Sequence, residues 1–186
     1  MLNTNFSVKG LKKAVALLIL VIPMSVFAQT TTNPGVVDST SVFKDVVNSY
    51  LRLEDALTKD NGDEARMAAK YLYNSIEEAP MAKMTTDQHK VWMQYHEKLG
   101  YDAEHIKGTD DIDHQREHFV SLSSNMFSLL KGLNINVVDL YYQYCPMANE
   151  GKGAYWVSQQ SEIANPYMGK KMPTCGSTKE TLKAKK

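Results

Sequence analysis

The stretch Thr109–Tyr144, "TDDIDHQREHFVSLSSNMFSLLKGLNINVVDLYYQY", changes its grammar partway along, and that change decides the fold. Ile112, Phe119, Met126 and Leu133 recur every seven residues, with Leu122 and Leu129 between them. Apolar residues at that period line one side of a helix, which the acidic start at Thr109 or Asp110 favours electrostatically. After Gly132 the pattern is lost. "INVVDLYYQY" is β-branched and aromatic with no helical stripe, so it predicts extended chain.

Upstream, the helical pattern repeats three times. Phe43, Val46, Val47, Tyr50, Leu51 and Leu57 share a face, with Asp38 or Ser39 available as the cap, and "KDNGD" at 59–63 ends the run. Ala65, Ala68, Ala69, Leu72, Ile76 and Ala79 mark a second helix that Pro80 closes. A third is expected from "TTDQ", capped by Thr86, with Trp92, Tyr95, Leu99 and Ile106 buried, an interruption at Gly100 and an end near Gly108. Four amphipathic helices joined by short turns predict an all-α protein, an up-and-down antiparallel four-helix bundle. Glycines at 151, 153, 169 and 176 and prolines at 146, 166 and 173 exclude a long helix beyond it. An irregular C-terminal cap is expected there, with "GAYWVS" as one short strand or half of one hairpin. Bundle and cap together span residues 37–176, and "STKETLKAKK" at 177–186 reads as a disordered basic tail.

The other end of the chain reads as an export signal. Lys9, Lys12 and Lys13 precede the apolar run 14–22, Pro23 breaks it, and Val26-Phe27-Ala28 has the small residues of a cleavage site. Residues 1–28 are therefore expected to be a signal peptide removed after Ala28, with 29–36 a flexible leader and the mature chain periplasmic. The apolar run is too short for a comfortable membrane span. Removing a segment with three lysines and no acid leaves a net charge of about −3, which argues against a nucleic-acid partner.

Both cysteines and three of the ten methionines fall between Tyr144 and Gly176. In an exported protein, Cys145 and Cys175 invite two readings: a structural disulfide, or a pair of metal-binding thiolates. Cys145 and Met147 flank Pro146, and Met172 and Cys175 flank Pro173, so each pair is a short, stiffened turn. Brought together, the turns offer two thiolates and two thioethers, a soft set that suits Cu(I), or equally Ag(I). Zinc seldom takes thioether, and calcium and magnesium want oxygen. Packing methionines under a disulfide-closed cap would use the same residues.

A multi-part pattern runs through this segment: "YxxYCPMA" from Tyr141, "GAYWVS" from Gly153, and "IANPYMGKKMPTCG" from Ile163. It resembles the signature of a bacterial domain of unknown function found in exported proteins, which also occurs fused to periplasmic adaptor subunits of heavy-metal efflux pumps. "YCPM" is similar to a "YxCPMH" segment of small heavy-metal-binding modules, with Ala148 in place of the histidine. The resemblance implies an all-helical body and a metal site made of Cys145, Met147, Met172 and Cys175. Asn165, Pro166, Tyr167 and Gly169 would shape the second turn. Ala164 is an insertion relative to the pattern, and Met168 and Pro173 depart from the residue types it leads one to expect.

Three further residues are candidates for an additional ligand or a supporting role. His114 and His118 are four apart on the fourth helix, which puts both imidazoles on one side, and Trp156 can shield Cu(I) through its ring. His89 and His96 flank Trp92 as a weaker pair, and His105 has no evident partner in the sequence. No CxxC, CxxCH, glycine-rich phosphate loop or HExxH is present, so a non-enzymatic role is expected. The resulting expectation is a periplasmic Cu(I) carrier or sequestering module, with a heavy-metal efflux adaptor or another envelope protein as partner. The alternative is an interaction module whose Cys145–Cys175 bridge fixes the cap.

Overall fold

The computed structural model describes residues 41–136 and 138–185. The expected signal peptide, leader and first-helix caps Asp38 and Ser39 lie outside the described residues. Among the described residues four α-helices precede the strands: α1 (Lys44–Thr58), α2 (Gly62–Glu77), α3 (Thr86–Lys107) and α4 (Ile112–Leu133). Side-chain caps fix the starts of the last three. The Asn61 side chain accepts the Glu64 N–H at 3.1 Å to begin α2. Thr85 and Gln88 form a reciprocal capping box for α3, one residue before the cap read from the sequence. Asp111 accepts the N–H groups of Asp113 and His114 to begin α4, which ends at Asn134 in the left-handed region.

The helices pack in chain order, α1 on α2, α2 on α3 and α3 on α4. Connections of a few residues between such neighbours make each pair antiparallel. All six apolar positions read from the α2 stripe are buried, as are Trp92, Leu99, Ile106, Phe119, Leu122, Met126 and Leu129. On α1 the buried face also takes in Leu53 and Ala56, while Val47 and Leu51 are only half-buried against it. α3 runs through Gly100 without interruption, because a single glycine weakens a helix by only about 1 kcal/mol against packing along its whole length. Gly132 has a packing reason: a Cβ there would lie 2.8 Å from Val91 Cγ1, so the α3–α4 approach depends on its absence.

The all-α expectation needs correction. Beyond α4 the chain forms a three-stranded antiparallel sheet, β1 (Leu140–Cys145), β2 (Ala154–Ser158) and β3 (Ser177–Leu182), in the order β2-β1-β3. β1 and β2 are the hairpin that the aromatic and β-branched runs suggested, with Tyr142 opposite Val157 and Cys145 opposite Ala154. β3 overturns the reading of 177–186 as a disordered tail. Its polar side chains gave no strand signal, yet the exposed edge of β1 supplies main-chain partners. Glu180 meets Lys131 of α4 at 2.8 Å, and Lys183 meets Asp139 at 2.8 Å.

One face of the sheet lies on the helices, where Tyr142 stacks on Phe127 of α4 with ring centroids 3.6 Å apart. The opposite face carries Gln143, Cys145 and Trp156, all buried. The segment 159–176 covers it: Gln143 Nε2 donates to the Gln160 carbonyl at 3.1 Å, and Asn165 Nδ2 donates to the Cys175 carbonyl at 2.6 Å. Arg116 holds this segment to the bundle by donating to the carbonyls of Pro166 at 2.7 Å and Leu57 at 3.0 Å while pairing with Asp60.

Candidate metal centre

Cys145 is the last residue of β1, and Cys175 comes two residues before the start of β3. Tyr144 pairs with Ser177 across the same strands, so the register delivers the two thiols to each other. Their sulfurs are 2.6 Å apart across 30 residues of chain. Both cysteines are free; Cys145 is buried and Cys175 half-buried. Gly176 lets the chain pass over the indole beneath. Its φ is +145°, and a Cβ there would fall 2.9 Å from both Trp156 Cη2 and the Tyr144 carbonyl oxygen.

The Cys175 thiol is pushed above its ordinary range, first by the neighbouring Cys145 thiol and then by burial. The Met147 main-chain N–H works the other way by bonding to the Cys175 sulfur. Two thiols this close cannot both ionise without a cation between them. An ion about 2.3 Å from each sulfur in tetrahedral geometry sets the sulfurs about 3.8 Å apart, so uptake would open the pair by about 1 Å.

Of the two methionines read as ligands, Met147 has its main-chain N–H at the Cys175 sulfur and a side chain 56% exposed. Met172 is half-buried, and its carbonyl accepts the Cys175 N–H at 3.2 Å. Both therefore belong to the turns that carry the cysteines. Trp156 is fully buried under the segment, with its Nε1 unpartnered and its ring edge-on to Tyr167 at 6.1 Å. Asn165 shapes the second turn as expected: its Oδ1 accepts the N–H groups of Tyr167 at 2.9 Å and Met168 at 3.0 Å.

His114 and His118 do come together, but with a partner that sequence reasoning missed. His105, at the end of α3, stacks on His118 with centroids 4.4 Å apart, and His114 meets His118 edge-on at 4.9 Å. One donor nitrogen from each of the three lies within 4.8 Å of the others. The group consists of imidazoles alone and does not complete the cysteine pair. The signal that could have found it is the short α3–α4 turn, which folds the last turn of one helix onto the first of the next. His96 stacks on Trp92 instead, at 5.9 Å.

A helical bundle with a small sheet cap, a thiol pair on the cap and an imidazole trio at a helix turn is the architecture to be placed. Residues 46–137 match the model of a family described as a protein of unknown function (DUF3347). The match covers the helical part from Val46 and stops before β1, so the Tyr141–Gly176 segment lies beyond it. No curated protein and no solved structure matches the chain. No helix among the described residues is long and apolar enough to cross a membrane.

Proposed function

We propose that this protein is a periplasmic soft-metal binder that takes up Cu(I), or Ag(I), between Cys145 and Cys175, with Met147 and Met172 supplying thioether donors. On this reading it carries or sequesters copper for a heavy-metal efflux adaptor or another envelope protein. Its activity is ligand exchange and not bond chemistry. The observation that carries the reading is the meeting of two free thiols, 30 residues apart, with the main-chain N–H of Met147 on the Cys175 sulfur and the Met147 side chain left in solvent. An exposed thioether contributes little to folding, whereas one two residues from Cys145 that swings onto the two thiols adds a donor that only soft ions use well. Binding would replace the thiol protons with one monovalent cation and leave a net charge of −1, which the Met147 N–H helps to carry.

The same thiol contact favours a second reading, a Cys145–Cys175 disulfide that closes the cap. Competition titration of the reduced protein against a Cu(I) chelator, with a thiol count on the same sample, separates the two. One Cu(I) per chain and two free thiols support the metal reading. Absent thiols that resist mild reduction, with no Cu(I) uptake, leave the disulfide.

A further inference from the structure

We infer that His105, His114 and His118 form a second metal site, for a divalent transition ion of borderline softness such as Cu2+ or Zn2+. The inference is independent of the sulfur pair, since it uses other residues and another class of ion. Three imidazoles with room for a further ligand are a donor set such ions accept, and among divalent ions Cu2+ would be held most tightly.

The surroundings aim the rings. Asp102 on α3 is 4% exposed, and its Oδ1 lies 3.3 Å from His118 Nδ1. A carboxylate only accepts, so the His118 proton sits on Nδ1 and the Nε2 lone pair is left for a metal. Ser121 fixes the same carboxylate by donating its hydroxyl to Oδ2 at 2.7 Å. Glu117 repeats the arrangement at the surface, 3.3 Å from His114 Nδ1. Carboxylates behind ligating histidines orient the ring and raise its basicity. A buried acid beside His118 also provides negative charge to offset a divalent cation.

The donor atoms are spread over 4.8 Å, whereas a tetrahedral ion about 2.0 Å from each nitrogen needs them about 3.3 Å apart. His114, on the open side, can supply that movement by side-chain rotation while His118 stays fixed on Asp102. His105 approaches from the other helix, so an occupied site would also tie the end of α3 to the start of α4.

The test titrates CuCl2 and, separately, ZnCl2 into the protein carrying Cys145→Ser and Cys175→Ser, by calorimetry, with electron paramagnetic resonance on the copper sample. If that variant does not fold, wild-type protein with its thiols oxidised replaces it. One ion per chain with hyperfine coupling to imidazole nitrogen is expected. His118→Ala should weaken binding about 100-fold, and His105→Ala or His114→Ala about tenfold each. Asp102→Asn should weaken it about 10- to 100-fold and abolish the Nδ1–H signature of His118 in 15N spectra, which a merely structural role would not single out. His89→Ala with His96→Ala should change nothing. Binding that survives His105→Ala with His118→Ala, binding that needs His89 and His96, or no uptake of either ion overturns the proposal. None of these outcomes bears on Cu(I) at the cysteines.

Discussion

The hydroxyl of Tyr50 accepts the main-chain N–H of Val157 at 3.1 Å, across 107 residues of chain, and lies 2.7 Å from Ser123 Oγ. One side chain of α1 thereby joins α4 to the outer edge of β2. An edge strand's outward N–H groups need cover, and here a helix side chain supplies it in the buried interior.

Tyr50→Phe keeps the ring stacked on Phe119 but leaves the Val157 N–H and the Ser123 hydroxyl without that partner. The expected cost is about 1–3 kcal/mol of stability. Chemical denaturation followed by circular dichroism and by the fluorescence of Trp92 and Trp156 checks it. Both signals should move together to lower denaturant, because the bond ties sheet to bundle.

Stability should fall as pH rises through neutrality, because Glu54, one turn after Tyr50 on α1, is buried and its carboxyl is pushed up to about 8. Burial is the main cause, the charge of Asp55 adds to it, and the Ser158 hydroxyl offsets part. An unfolded chain releases this proton near pH 4.5 while the folded protein keeps it until about 8. The contribution is therefore fully present below pH 4.5, declines between 4.5 and 8, and is level above. Glu54→Gln should remove the decline and raise stability at pH 8, by an amount on the order of a few kcal/mol. Thermal melts across that range read both effects.

Arg116→Ala should loosen the cap from the bundle. It strips donors from the Leu57 and Pro166 carbonyls and removes the partner of Asp60, costing about 1–3 kcal/mol. Burial opposes ionisation of Asp60, but Arg116 and the Lys170 N–H overcome it and hold the carboxyl below its usual range. That contribution is present above the unfolded value near 3.8 and is lost as pH falls through the folded one. Wild type should lose it in acid, whereas the variant lacks the Arg116 part of it throughout. Hydrogen exchange at residues 165–169 should speed up in Arg116→Ala.

Met147→Leu distinguishes the two readings of the thiol pair. The side chain is 56% exposed, so melting should shift little under either. On the metal reading Cu(I) affinity drops about tenfold, and Cys145→Ser with Cys175→Ser abolishes uptake. On the disulfide reading neither methionine matters, and reduction alone lowers the melting temperature.

The helices were legible because each carries its own apolar period and its own stop. The Ala65–Ala79 stripe and the seven-residue recurrence from Ile112 need no knowledge of the partner that covers them. Thr85 caps within one turn of chain, so it was read to within a residue, whereas Asn61 sits inside the "KDNGD" stretch that read only as a stop, and Asp111 follows the expected start at Thr109 or Asp110. β3 could not be read that way. Ser177–Leu182 is polar and half exposed, and it is a strand because β1 offers it an edge, which is a property of another segment.

Four helices, extended aromatic chain after them and the clustering of sulfur near the C-terminus follow from the residues in order, since periodicity, capping and composition act locally. Which donors meet is set by the packed fold. The β1–β3 register sets Cys145 against Cys175, and the α3–α4 turn lays His105 on His118. Such meetings depend on where distant backbones are held by packing, and no single residue's chemistry carries that information.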